Sequence, residues 1–80
     1  MKGVNGMRVT IKLFATFRDG RFKVEEQDLS EGTCVLDVIQ PLNIQAEELA
    51  ICLLNGKDAN EHTVLNDGDT LALFPPVGGG

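Results

Sequence analysis

The chain has 80 residues, a formal net charge of −5 and 42% hydrophobic residues. That length confines it to one small domain, which buries only roughly 60–65% of its unfolded surface, and the apolar fraction argues against disorder along the whole length. An acidic balance with no Lys/Arg run, no Trp and no Tyr excludes nucleic acid as a natural partner and favours a basic protein surface, while no apolar stretch approaches the roughly 20 residues of a membrane span.

In chain order, "MKGVNGM" has a lysine but no apolar core behind it, so it does not read as a signal peptide. Residues 1–6 are expected to form a disordered extension, 7–75 a folded domain and 76–80 a flexible tail. "RVTIKLF" (8–14) alternates, with Val9, Ile11 and Leu13 on one side, and predicts a half-buried strand. The turn signal Asp19-Gly20 precedes a second alternating run, "RFKVEE" (21–26), with Phe22 and Val24 facing inward, and the two runs predict an antiparallel hairpin. Thr33 is the expected N-cap of a two-turn helix whose apolar stripe is Val35, Leu36, Ile39 and Val38. Pro41 ends that helix, which is too short to stand without a sheet beneath it.

"LAICLLN" (49–55) reads as a well-covered strand, "NGK" (55–57) as a hairpin turn and residues 58–60 as a short strand or loop. "VLNDGD" (64–69) is a tight turn in which Gly68 takes positive φ. "TLALF" (70–74) is the final strand, with Leu71 and Leu73 inward and Phe74 pointing the other way. This order predicts an α+β fold: a ubiquitin-like β-grasp with a mixed sheet of four to five strands packed on one short helix.

The body of the chain offers little chemistry. Cys34 and Cys52 are too few for a disulfide scaffold or a cluster and read as packed, reduced thiols of a cytoplasmic protein. A position at a helix N-terminus is the one circumstance that favours reactivity at Cys34. His62 is the only histidine, and no metal site is expected. The carboxylates of "DGD" lack the rest of a calcium loop and read as solvated turn residues.

The ending "LFPPVGGG" is different. Pro75 and Pro76 have no amide hydrogen to continue strand pairing and favour an extended exit. Val77, Gly78, Gly79 and Gly80 form a slim segment suited to a narrow channel, and its one reactive group is the Gly80 carboxylate. Oxide is a poor leaving group, so that carboxylate needs conversion to a mixed anhydride with AMP before a sulfur nucleophile can attack.

"IKLFATFRDG", "LLNGK" and "VLNDGDTLALFPPVGGG" together resemble the MoaD/ThiS family of sulfur-carrier proteins over residues 7–80. The resemblance implies that the Gly80 carboxylate is adenylated, then converted to a thiocarboxylate that donates sulfur in cofactor biosynthesis. The implied partners are a ubiquitin-activating-like adenylyltransferase of MoeB/ThiF type, which uses ATP, a persulfide donor, and a synthase catalytic subunit of MoaE type or a thiazole synthase. The chain itself would hold no cofactor and have no active site of its own. Val77, Gly78 and Gly79 would occupy the partner's channel, Pro75 and Pro76 would set its direction, and Phe74 with Phe14 would supply an apolar docking surface or else pack in the core. The beginning and tail resemble MoaD, which points to molybdopterin synthesis, whereas the short helix "TCVLDVIQPLNI" resembles ThiS. Thiazole and tungsten-cofactor pathways therefore stay open, as do conjugation of Gly80 to a target lysine and a plain interaction module.

Overall fold

The computed structural model describes residues 6–76. Five strands, β1 (Gly6–Leu13), β2 (Val24–Ser30), β3 (Ile51–Leu54), β4 (Lys57–Asp58) and β5 (Thr70–Phe74), form one sheet in the order β2-β1-β5-β3-β4. β1 and β5 are parallel and the other neighbours antiparallel. One helix, α1 (Val35–Ile39), crosses between β2 and β3, which is the expected β-grasp arrangement.

One face of the sheet makes the core. Val9, Ile11 and Leu13 of β1 and Leu71 and Leu73 of β5 are fully buried against Val35 and Ile39 of α1. Each such side chain contributes about 1.5–3 kcal/mol through removal from water. The five-residue helix exists because of this contact and because its first amides find partners elsewhere. Val35 N donates to Thr63 O at 3.0 Å and Leu36 N to Glu61 O at 2.9 Å.

Several local expectations are corrected. The second strand begins at Val24, not at residue 21, and Val24 is 57% exposed because it lies opposite Lys12 on the outer face. Phe22 reaches the core from the preceding loop. The first hairpin is not closed by a short Gly turn but by a segment containing a 3-10 turn, Ala15–Arg18, whose Phe17 is buried. Cys34, not Thr33, is the N-cap: Asp37 accepts from Cys34 N at 3.1 Å, while the Thr33 hydroxyl donates to Ser30 O at 2.6 Å. The apolar stripe is as expected, with Val35, Val38 and Ile39 buried and Leu36 partly buried against the same core. The third strand is shorter than 49–55, since Leu49 closes another 3-10 turn, Ala46–Glu48, and Asn55 belongs to the hairpin turn, and β4 begins one residue before the expected 58–60.

The Asn55-Gly56 turn is as expected, with φ of 53° and 83°. These left-handed values suit the twist of a two-residue hairpin. Asp69 is not a solvated turn residue: it is buried, accepts from Asn55 Nδ2 at 2.8 Å and from Asn66 N at 2.7 Å, and so ties the β3–β4 hairpin to the start of β5. Gly6 opens β1 and Met7 is buried in it, so the described strand reaches into the segment expected as an extension.

Candidate functional site

The segment that precedes the glycine-rich ending is held on both sides. Leu73 O accepts from Phe14 N at 3.2 Å, and Phe74 O accepts from Ala50 N at 2.9 Å. The last two carbonyls of β5 are thereby fixed to both flanking segments. Pro75 is buried and Pro76 exposed. Neither ring nitrogen can donate to a ladder, so pairing stops here and the chain leaves the sheet from an anchored base. Val77, Gly78, Gly79 and Gly80 lie outside the described residues.

Beside this exit, the rings of Phe14 and Phe74 stack with centroids 4.3 Å apart and planes 6° apart. Neither is among the buried core residues; both are half-buried. The fold produces the pair through register: Leu13 lies opposite Leu73, both facing the core, so the next residue of each segment comes out on the other face. Ala15, with φ of 53°, then turns the chain into the 3-10 segment, a left-handed conformation that costs a residue with a Cβ about 1–2 kcal/mol. That turn sends Phe17 inward while leaving Phe14 outside.

Arg18 completes one side of the exit. Its guanidinium lies 5.1 Å from the Phe14 ring centroid, and its Nε donates to Leu13 O at 2.7 Å. On the other side Ile51, opposite Phe74, is 49% exposed. Leu53 and Ala72 occupy the next rung on the same face and are partly exposed. The result is an apolar outer surface, edged by a cation, next to the end of β5.

Phe14 and Phe74 are the residues expected here from the sequence, and Arg18 and Ile51 join them without having been expected. Ile51 was recoverable from strand parity, because an inward Cys52 forces it outward. Arg18 was not, since its position depends on the unforeseen 3-10 turn.

The other candidates are dispersed. Cys52 is buried on the core side, and burial pushes its thiol pKa up, toward the unreactive form. Cys34 is half-buried, and both thiols are free. His62 is exposed and faces Glu61 at 3.4 Å. Among the described residues no group of three or more His, Cys, Asp and Glu is placed to hold a metal ion. Among them, too, no helix is long and apolar enough to cross a membrane.

A family model described as ThiS family matches residues 11–80. A putative molybdopterin converting factor, subunit 1, from Pyrococcus furiosus superposes with a TM-score of 0.68 at 31% identity, over 89% of this chain and 99% of that one. Small archaeal modifier protein 1 of Haloferax volcanii gives 0.71 at 25% identity, over 89% and 99%. A complex of subunits 1 and 2 of molybdopterin-converting factor from Helicobacter pylori contains a chain matching at 0.53 and 28% identity, over 92% and 100%. Among the curated proteins none matches this sequence.

Proposed function

We propose that this chain, which belongs to the ThiS family, is a sulfur carrier that works through the carboxylate of Gly80 and relies on other proteins for catalysis. In the first step a ubiquitin-activating-like enzyme joins that carboxylate to AMP, with pyrophosphate leaving from ATP. In the second, the terminal sulfur of a donor persulfide attacks the acyl carbon and AMP leaves. Cleavage of the resulting acyl disulfide by a second thiolate leaves a thiocarboxylate on Gly80 and a disulfide on the donor. The reaction needs a substrate that enters other active sites by its end, and a segment without β-carbons does this with the least steric demand.

The observation that carries this reading is the anchored exit. Leu73 and Phe74 are fixed by hydrogen bonds on both sides, and the apolar surface of Phe14, Phe74 and Ile51 lies beside them. A partner seated there meets the start of the exit, Pro75 and Pro76, at a defined position, and three residues of chain, Val77 to Gly79, give at most about 10 Å of reach when extended. Pro75 and Pro76 aim it. The likeness to subunit 1 of molybdopterin converting factor, and the Helicobacter pylori complex of subunits 1 and 2, support a synthase catalytic subunit as that partner and molybdopterin synthesis as the destination. A cytoplasmic setting, where thiols stay reduced, is part of the same proposal.

A second reading has one specific support, the likeness to small archaeal modifier protein 1: Gly80 transferred to a lysine of a target protein. Both readings share the adenylate and differ in the nucleophile. Intact-mass measurement of the chain isolated from its native cell, together with immunoblotting of the whole lysate, separates them. The carrier reading expects exchange of one oxygen for sulfur at the C-terminus. The modifier reading expects higher-mass conjugates that vanish when Gly79 and Gly80 are deleted.

A further inference from the structure

Among the described residues β2 lies at the edge of the sheet with β1 as its one neighbour. Its free side can be read from the hydrogen bonds of β1. Thr10 N and Phe14 N donate toward β5, to Asp69 O and Leu73 O, whereas Leu13 N donates to Lys23 O on the other side. Odd-numbered residues of β1 therefore bond to β2. With Ile11 opposite Glu25, Val9 opposite Gln27 and Met7 opposite Leu29, those three residues of β2 spend their backbone groups on β1. The N–H and C=O groups of Val24, Glu26 and Asp28 point away from the sheet.

Natural edges are usually protected by lysine, proline, a bulge or a covering loop. This one has no lysine or proline across "VEEQDLS" and pairs with β1 in unbroken register. Beyond it, on the helix side, an open groove of about 480 Å³ is lined by Phe22, Leu42, Glu25 and Gln27 among others. Its rim carries Glu25 and Asp19 together with Arg21, whose guanidinium donates to Leu42 O and Phe17 O. On the outer face Glu26 and Asp28 are exposed, and both approach Arg8, at 3.8 and 3.1 Å, with Lys12 farther along the same face opposite Val24. β2 itself thus contributes three carboxylates and no cation, Glu25 on the helix side and Glu26 and Asp28 on the outer face. A second copy of the chain pairing antiparallel here would set carboxylate against carboxylate, which is unfavourable.

We propose that the β2 edge is a strand-addition site for an extended segment of a partner protein in which cationic and apolar residues alternate. Its cationic side chains lie on the outer face opposite Glu26 and Asp28. Its apolar side chains enter the groove over Phe22 and Leu42. The main chain bonds to Val24, Glu26 and Asp28, in the strand-addition mode in which the backbone supplies affinity and alternate side chains supply specificity. This site is on the side of β2 away from β1, whereas the Phe14–Phe74 surface follows the ends of β1 and β5, and it does not depend on sulfur chemistry at Gly80.

The register makes the test specific. The probe is the fluorescein-labelled peptide acetyl-Lys-Val-Lys-Val-Lys-Val-Lys-amide, titrated into the full chain. Binding is expected to slow amide hydrogen exchange at Val24, Glu26 and Asp28 by about tenfold or more, and to leave Glu25, Gln27 and Leu29, already bonded to β1, unchanged. A probe N-methylated at its lysine amides should not bind, whereas one methylated at its valine amides should bind as well as the parent. Glu26→Lys should weaken the parent probe about tenfold, because it reverses a facing charge. The proposal is overturned if the parent probe does not bind, if both methylated probes bind alike, or if protection appears around Phe14 and Ile51 instead. The methylated probes leave the protein unaltered, so a folding defect in a variant cannot mimic either result.

Discussion

Replacement of Phe14 and Phe74 by alanine, singly and together, separates the stability of the stacked pair from its use as a surface. Full burial of a phenylalanine contributes about 1.5–3 kcal/mol, so each half-buried ring accounts for roughly half of that. The stacked geometry, 4.3 Å between centroids, adds about 0.5–1.5 kcal/mol beyond area. Phe14 also loses the Arg18 contact, about 0.5–1 kcal/mol at an exposed site. Phe14→Ala is therefore expected to cost about 2–3 kcal/mol and Phe74→Ala about 2 kcal/mol. The double variant should cost about 1 kcal/mol less than the sum, because the stack is lost only once. Urea unfolding with matched slopes measures all three. An 80-residue domain has a total stability of about 4–12 kcal/mol, so the single variants stay folded at 10 °C, where calorimetric titration with the synthase catalytic subunit should show at least tenfold weaker binding, about 1.4 kcal/mol. Costs of 3–5 kcal/mol, as for a core phenylalanine, would show that the rings are core after all. Additive costs would remove the stack as an energetic unit, and unchanged affinity would remove the pair from the docking surface.

Other expectations concern separate parts of the molecule. Asn55→Gly keeps the freedom that φ of 53° demands but loses the bonds to Asp69 and Thr70, and should cost about 2 kcal/mol in urea unfolding. Gly79→Val should leave unfolding unchanged and abolish adenylation in a pyrophosphate-exchange assay; normal exchange would contradict a narrow channel. Iodoacetamide at pH 7 should label Cys34 well before Cys52, as peptide mass mapping would show, since Cys52 is buried and its thiol pKa is pushed up by that burial. The same shift fixes a sign. The unfolded chain releases the Cys52 proton first, so this thiol lowers stability as pH rises above the free-thiol value, and a Cys52→Val chain should show a shallower alkaline decline.

Strand parity made most of the fold readable. Alternation in β1 and β5 placed Val9, Ile11, Leu13, Leu71 and Leu73 correctly, and Asn55-Gly56 declared its turn, because in each case local chemistry and tertiary packing agree. Local pattern and structure part where neighbours decide. Val24 alternates as an inward residue does, yet its register with Lys12 turns it out. Thr33 is a good cap by composition, but its hydroxyl is taken by Ser30 O and the helix amides are satisfied by residues 61 and 63. Phe17, Ile44 and Leu65 are core residues outside regular strands and helices, and carry no periodic signal. At the candidate site, Pro75, Pro76, Phe74 and Phe14 were all visible in the sequence. Their meeting with Arg18 and Ile51 required the 3-10 turn and the β3–β5 register.

The most direct test of the account is an intact and peptide-level mass measurement after incubation of the chain with a ubiquitin-activating-like enzyme, ATP and a persulfide donor. The account predicts one sulfur in place of one oxygen, located on the C-terminal peptide that contains Gly80 and absent when ATP is omitted. Sulfur found on Cys34 or Cys52 alone, or an adenylate on Gly80 that never exchanges oxygen for sulfur, would contradict it.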